Sequence, residues 1–144
     1  MIDWVVDTGV AIKWYVPEIH DDKAKNLLSE EYTLHVPELF FVEFGNIVWK
    51  KTRIRTPQEM TIEEGREVLR RLLDVALIIH PMRQLLEPAF ELAVGPERPT
   101  VYDATYLALA RSLDCRLATA DRKLFDAYQG GPLGASLVWV ADLP

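Results

Sequence analysis

Four carboxylates, Asp7, Glu43, Asp103 and Asp121, are the residues of this chain whose types and settings suit chemistry. Asp7 closes the apolar run Trp4-Val5-Val6, and Asp121 follows the strand-like Arg116-Leu117-Ala118. Glu43 lies among Phe41, Val42 and Phe44, and Asp103 precedes the small, apolar Ala104, Leu107, Ala108 and Ala110. In an open parallel sheet the strand C-terminal ends and the following helix N-termini share one edge, where ligands bind. Two unit charges about 5 Å apart repel by roughly 3 kcal/mol at an effective dielectric of 20. Four acids at one edge therefore need a cation. An oxygen-only donor set suits Mg²⁺ or Mn²⁺ and not zinc. Taken singly, each acid has a simpler role: Asp7 and Asp121 read as helix N-caps, Asp103 as a first-turn acid favoured by the helix dipole. Glu43 reads as the exposed face of an ordinary helix, although an unpaired carboxylate on so apolar a helix is costly to bury. The histidines, His20, His35 and His80, share no helical spacing and form no metal motif. His80, before Pro81, reads as a loop residue.

The elements that must position these acids alternate strand and helix, the mark of a parallel sheet. Strands are expected at Trp4–Asp7, Thr33–Val36, Val75–Ile79, Arg116–Thr119 and Leu137–Val140. Helices are expected at Thr8–Tyr15, His20–Glu30, Glu38–Lys51, Gln84–Val94, from the Thr100 cap through Leu113, and at Asp121–Ala127. Two capping-box patterns, Thr56-Pro57-Gln58-Glu59 and Thr61-Ile62-Glu63-Glu64, compete to open a further helix through Val68, Leu69, Leu72 and Leu73. The sum is a three-layer α/β/α sandwich around a mainly parallel sheet of about five strands, a single domain over residues 1–144.

Composition excludes several classes. The chain has 144 residues, 49 % apolar and 26 % charged, ordinary values for a globular domain. No apolar run approaches the roughly 20 residues of a membrane span. The first residues lack a signal-peptide pattern, and the one cysteine, Cys115, fits a reducing compartment, so a cytoplasmic location is expected. The net charge of −6 opposes nonspecific wrapping of nucleic acid. Seven of the 16 basic residues nevertheless fall between Lys50 and Arg71: Lys50, Lys51, Arg53, Arg55, Arg66, Arg70 and Arg71. They form either a polyanion track beside an acidic pocket or a solvated helix face with ion pairs to Glu63 and Glu67.

Four segments carry a resemblance that covers nearly the whole chain. They are Val6-Asp7-Thr8-Gly9-Val10-Ala11-Ile12-Lys13-Trp14, Glu43-Phe44-Gly45-Asn46, Tyr102-Asp103-Ala104-Thr105-Tyr106-Leu107-Ala108-Leu109-Ala110 and Leu117-Ala118-Thr119-Ala120-Asp121. In this order and spacing the chain resembles the PIN-domain (PilT N-terminal) ribonucleases, particularly the VapC-like toxins of toxin–antitoxin pairs. The resemblance implies a PIN-like fold and endonucleolytic hydrolysis of RNA assisted by Mg²⁺ or Mn²⁺. Asp7, Glu43, Asp103 and Asp121 fall on the family's four acids. It implies Asp7 and Asp103 as direct ligands, with Glu43 and Asp121 holding ligands, waters or a second ion. Thr119 matches the threonine of the last motif, and Asn46, one turn after Glu43, is placed to orient it. Gly9 departs from the family, standing where serine is usual two residues after the first acid; Thr8 is the nearest substitute hydroxyl. Lys50, Arg53 and Arg55 are candidates for holding RNA phosphates. The implied partners are the RNA substrate, a second copy of the chain and a small antitoxin reaching the groove, for which Trp14, Tyr15, Phe40 and Trp49 are candidate contacts, with core packing the alternative for Trp14 and Trp49. The competing reading is a catalytically weak or inactive PIN-like module that acts by binding a partner. A phosphotransfer domain would need an acid pair at the first strand and a later lysine before Asp121, and the chain has neither.

Overall fold

In the computed structural model, which describes residues 1–53 and 57–144, the chain opens on strand β1 (Ile2–Val6). Trp4, Val5 and Val6 are buried, the unbroken apolar pattern of a strand covered on both faces. Asp7 is not the end of that strand but the N-cap of a four-residue helix, α1 (Thr8–Ala11). The expected helix to Tyr15 tightens after Ala11 into a 3₁₀ turn over Ile12–Trp14, ahead of Pro17. The next helix, α2 (Asp21–Asn26), is shorter than its apolar spacing suggests. Strand β2 (Tyr32–Pro37) leads into α3 (Leu39–Thr52), which buries Phe40, Phe44 and Val48 at a four-residue spacing. Each such side chain contributes roughly 2 kcal/mol of burial.

Of the two capping boxes, the Thr61 pattern opens α4 (Ile62–Leu73), with both of its reciprocal hydrogen bonds formed. The rival pattern begins at Thr56, which lies outside the described residues. Strand β3 (Leu77–His80) sits later than the apolar run Val75–Ile79, and His80 belongs to the strand instead of a loop. The reason is a side-chain chain across three strands. His80 Nε2 lies 2.9 Å from His35 Nδ1, and His35 Nε2 lies 2.9 Å from Asp3 Oδ1. The following helix α5 (Met82–Ala93) starts two residues earlier than expected and continues through Pro88. Glu38 fixes that start by accepting a hydrogen bond from the Met82 amide at 2.8 Å.

Helix α6 (Val101–Ser112) is capped by Thr100 and buried over Ala104–Ala110. Ala89 of α5 packs with Ala104 and Ala108 of α6, and these small side chains allow the two helices to approach closely. Strand β4 (Arg116–Thr119) matches expectation, α7 (Arg122–Tyr128) is capped by Asp121, and β5 (Leu137–Trp139) completes the sheet. All four pairings are parallel, in the order β3-β2-β1-β4-β5. With helices on both faces this is the three-layer α/β/α sandwich anticipated. The chain winds outward from β1 through β2 to β3, then returns to β4 on the other side of β1. The crevice between β1 and β4 is thus the switch point at which such sheets bind ligands.

Candidate active site

Asp7 leaves β1 and Asp121 leaves β4, on the two strands that flank this switch point. Both cap helices: Asp7 Oδ1 accepts from the Val10 amide at 2.8 Å, and Asp121 Oδ1 from the Leu124 amide at 3.0 Å. The capping role and the site role coincide, so neither excludes the other. Thr119 joins the two acids. Its hydroxyl donates to Asp7 Oδ2 at 2.5 Å and accepts from the Asp121 amide at 3.0 Å. The Ala120 amide adds a third donor to Asp7 at 3.2 Å.

Glu43 projects from α3 and Asp103 from the first turn of α6. The Asp103 carboxylate accepts from the Thr100 hydroxyl at 3.1 Å. The Tyr106 hydroxyl, one turn further along α6, donates to Glu43 Oε1 at 2.8 Å. Sequence reasoning had assigned the orienting role to Asn46. That residue is exposed, and among the described residues no hydrogen bond joins it to Glu43. The three-residue spacing keeps Asn46 near Glu43 on α3, but its side chain lies in solvent while Tyr106 of α6 takes the Glu43 carboxylate. Tyr106 went unrecognised because a tyrosine amid Ala104, Leu107 and Ala108 reads as packing. Its sole signal is the i,i+3 spacing from Asp103, which places both on one helix face.

All four acids line one cavity of about 210 Å³, together with Thr8, Gly9 and Tyr106. Ile47 and Leu124 supply apolar wall. Burial and then neighbouring charge raise three of these carboxyls. Asp7, 7 % exposed, has its carboxyl pushed up from 3.8 to about 6, chiefly by burial and further by the Asp121 charge. The bonds from Thr119, Val10 and Ala120 oppose that rise. Burial also raises Glu43, with the Tyr106 bond opposing and the charges of Asp103 and Asp7 adding to the rise. Asp103 is raised by burial and by Asp121, while Thr100 and the Lys123 charge pull it down. Burial pushes the Tyr106 phenol far up, so it remains a donor at any working pH. Among the described residues no lysine or arginine forms a salt bridge with any of the four acids.

The donor set suits a hard divalent cation: carboxylate oxygens, no imidazole or thiolate in the lining, and excess negative charge. No three Asp, Glu, His or Cys side chains among the described residues converge into a ready-made cage. A partly hydrated ion fits this arrangement better than an all-protein cage, because Mg²⁺ usually keeps several of its waters.

Gly9 has a steric explanation. A Cβ there would stand 3.3 Å from the Ala120 Cβ and 3.5 Å from Asp7 Oδ1. Ala120 occupies the space a serine would press against, and Asp7 already has three donors without a position-9 hydroxyl. Thr8 lines the cavity as anticipated.

The basic stretch divides. Lys51 pairs with Glu18 and Glu59, and Arg66 and Arg70 pair with Glu63 and Glu67. Arg71 lies over the Tyr15 ring. Lys50 is exposed, Arg53 stacks 4.7 Å above the ring of Trp49, and Arg55 lies outside the described residues. Of the aromatic candidates for partner contact, Trp14 and Phe40 are core, whereas Trp49 is 53 % exposed. The Trp14 indole donates inward to the Ala24 carbonyl.

Residues 4–130 match the PIN domain family model. The chain is 34 % identical over 126 residues to ribonuclease VapC3 of Pyrobaculum aerophilum, covering 86 % of this chain and 93 % of the relative. It is 31 % identical over 125 residues to ribonuclease VapC9 of Mycobacterium tuberculosis, covering 87 % and 91 %. Among solved structures, Mycobacterium tuberculosis VapC20, described as a sarcin-ricin loop cleaving toxin, superposes with a TM-score of 0.64 at 17 % identity. That match covers 87 % of this chain and 95 % of the other. PAE2754 of Pyrobaculum aerophilum gives 0.62 at 22 % identity, covering 90 % and 82 %. These two structural likenesses bear on the fold. The chain belongs to the PIN-domain family, and its relatives at 31–34 % identity are named VapC ribonucleases.

Proposed function

We propose that this protein is a ribonuclease that hydrolyses RNA phosphodiester bonds with Mg²⁺ or Mn²⁺, acting as the toxin of a VapBC-type toxin–antitoxin pair. The observation that carries the reading is the cavity itself: four acids share one lining, burial and then neighbouring charge raise the carboxyls of Asp7, Glu43 and Asp103, and among the described residues no cationic side chain joins the lining. Asp7 and Asp103 are the residues to hold the ion, with Glu43 and Asp121 placed for its waters or a second ion. Bound there, the ion would supply positive charge against the phosphate and make a neighbouring water more acidic.

The chain's own residues supply the rest. Thr119 and the Val10 and Ala120 amides fix both oxygens of Asp7, so the carboxylate enters the reaction already oriented. Tyr106 fixes Glu43 through one oxygen, and among the described residues no hydrogen bond reaches the other. Among the described residues no histidine lines the cavity, so proton transfer falls to carboxylates and water. Without a cation the four acids would repel the substrate's phosphates, which ties RNA binding to ion binding. Lys50 and Arg53, further along the helix that carries Glu43, are candidates for holding the flanking backbone.

An antitoxin partner fits an acidic cavity able to receive a basic side chain. A homodimer fits the exposed Leu86 and Phe90 of α5 and Val94 at its C-cap, which repeat every four residues. A cytoplasmic setting is part of this proposal; no helix is long and apolar enough to cross a membrane among the described residues. The rival reading, a noncatalytic partner-binding module, leaned on Gly9. It loses force because Asp7 is fully supported without a serine there.

The test is cleavage of single-stranded RNA by the wild type, Asp7→Asn and Asp103→Asn, with Mg²⁺ or Mn²⁺ and with chelator. Cleavage confined to the wild type with metal is expected. Equal activity in all three proteins, or activity that survives chelation, contradicts the reading.

A further inference from the structure

Tyr106 reaches across from α6 to a carboxylate on a different helix. It is 3 % exposed, its hydroxyl stands 2.8 Å from Glu43 Oε1, and it lines the same cavity as the four acids. Asp103 lies three residues earlier on α6, so one helix face carries both an acid of the site and the donor that holds another acid in place. Glu43 sits on α3 with three rotatable side-chain bonds and, among the described residues, no salt bridge to restrain it. A carboxylate that must meet an ion loses affinity for each rotamer it samples away from the site, and a fixed hydrogen bond removes that loss in advance.

We propose that Tyr106 is a positioning residue: its hydroxyl holds one oxygen of Glu43 so that the other faces the cation site between α3 and α6. This deepens the metal-dependent reading above and rests on it. The hydroxyl touches neither ion nor substrate; it acts through Glu43. Because α6 also carries Asp103, the bond ties the relative placement of two acids from different helices to one helix. The surrounding fit of α6 is tight, with Ala104 and Ala108 packed on Ala89, so the donor itself has little freedom to move. Thr100 plays a comparable part for Asp103, and Thr119 for Asp7, which leaves each of the three acids with a hydroxyl donor from its own or a neighbouring element.

The experiment measures Mn²⁺ binding by titration calorimetry to the wild type, Tyr106→Phe, Glu43→Asp and the double variant. Tyr106→Phe keeps the ring and removes only the hydroxyl. Glu43→Asp withdraws the carboxylate from the hydroxyl's reach and leaves the tyrosine packing intact. Each single change is expected to weaken Mn²⁺ binding about tenfold, and the double variant to be no weaker than Glu43→Asp alone. Tyr106→Phe is expected to lower RNA cleavage most at limiting Mn²⁺ and least at saturating Mn²⁺, whereas a merely damaged core would lower kcat equally at every concentration. Equal Mn²⁺ affinity in the wild type and Tyr106→Phe, or strictly multiplicative losses in the double variant, overturns the proposal. If Tyr106→Phe does not fold, Glu43→Asp alone decides, because wild-type affinity there overturns it equally. A wild type that binds no Mn²⁺ overturns the metal reading and this proposal with it, which separates that failure from the others.

Discussion

The outward face of α4 and the cavity between β1 and β4 are both rich in charge, and they obey opposite rules. On α4, Arg66 lies 3.2 Å from Glu63, and Arg70 lies 3.3 Å from Glu63 and 3.0 Å from Glu67. All four groups are exposed, so each charge has both water and a partner. In the cavity, Asp7, Glu43 and Asp103 are at least partly buried, face one another and have no cationic partner among the described residues. The first arrangement is what solvated helices do without any function. The second persists against desolvation and repulsion, which a stability argument alone does not account for. Charge density does not mark the site; unmatched charge does.

If that contrast is right, removing cavity charge should cost function and not fold. Asp7→Asn or Asp103→Asn is expected to lower RNA cleavage by about 100-fold or more. Both variants should nevertheless melt no lower than the wild type in chelator. A variant that loses cleavage because it unfolds would erase the contrast.

A second consequence concerns pH. The folded-state pKa of Asp7, about 6, lies above its ordinary value of 3.8. Between those values the folded protein binds more protons than the unfolded chain, so stability falls as pH rises from about 4 to 6 and levels off above. The shift corresponds to at most about 3 kcal/mol. Glu43 and Asp103, also raised, act in the same direction. Chelated wild type should therefore be more stable to urea at pH 4.5 than at pH 7, and Asp7→Asn should largely flatten that dependence. A flat wild-type profile would mean that burial and neighbouring charge do not raise these carboxyls as described.

Thr119→Val offers a smaller effect. It deletes one of three donors to Asp7, which should push the carboxyl further up and carry the decline in stability to higher pH, at a cost of about 1–2 kcal/mol at pH 7. Smallest of all is Arg70→Gln on α4, whose partners are fully solvated. Its melting temperature should move by less than about 2 °C and RNA cleavage should not change.

Much of this was legible in the sequence for a physical reason. Asp7 and Asp121 each follow an apolar strand and open a helix, and a parallel sheet leaves little choice about where such residues meet. Glu43 and Asp103 stood out because acids on apolar helices require an explanation. What the sequence concealed were contacts between elements. Tyr106 looks like core until α3 is brought beside α6, and Asn46 looks like a partner of Glu43 until Tyr106 takes that carboxylate and leaves Asn46 in solvent. His80 was misplaced because the apolar run ends one residue before it, while the strand continues to meet His35. The 3₁₀ turn at Ile12–Trp14 and the short α2 likewise depend on how the segment packs, with the Trp14 indole bonded to the Ala24 carbonyl.

The account stands on the idea that the four acids are held apart in charge until a divalent cation joins them. Thermal unfolding of chelated wild type, Asp7→Asn and Asp103→Asn, each with and without excess Mn²⁺, examines that idea without reference to any RNA. The account predicts a clear rise in the melting temperature of the wild type with Mn²⁺, and little or none in either variant. An equal rise in all three proteins, or none in the wild type, would contradict it.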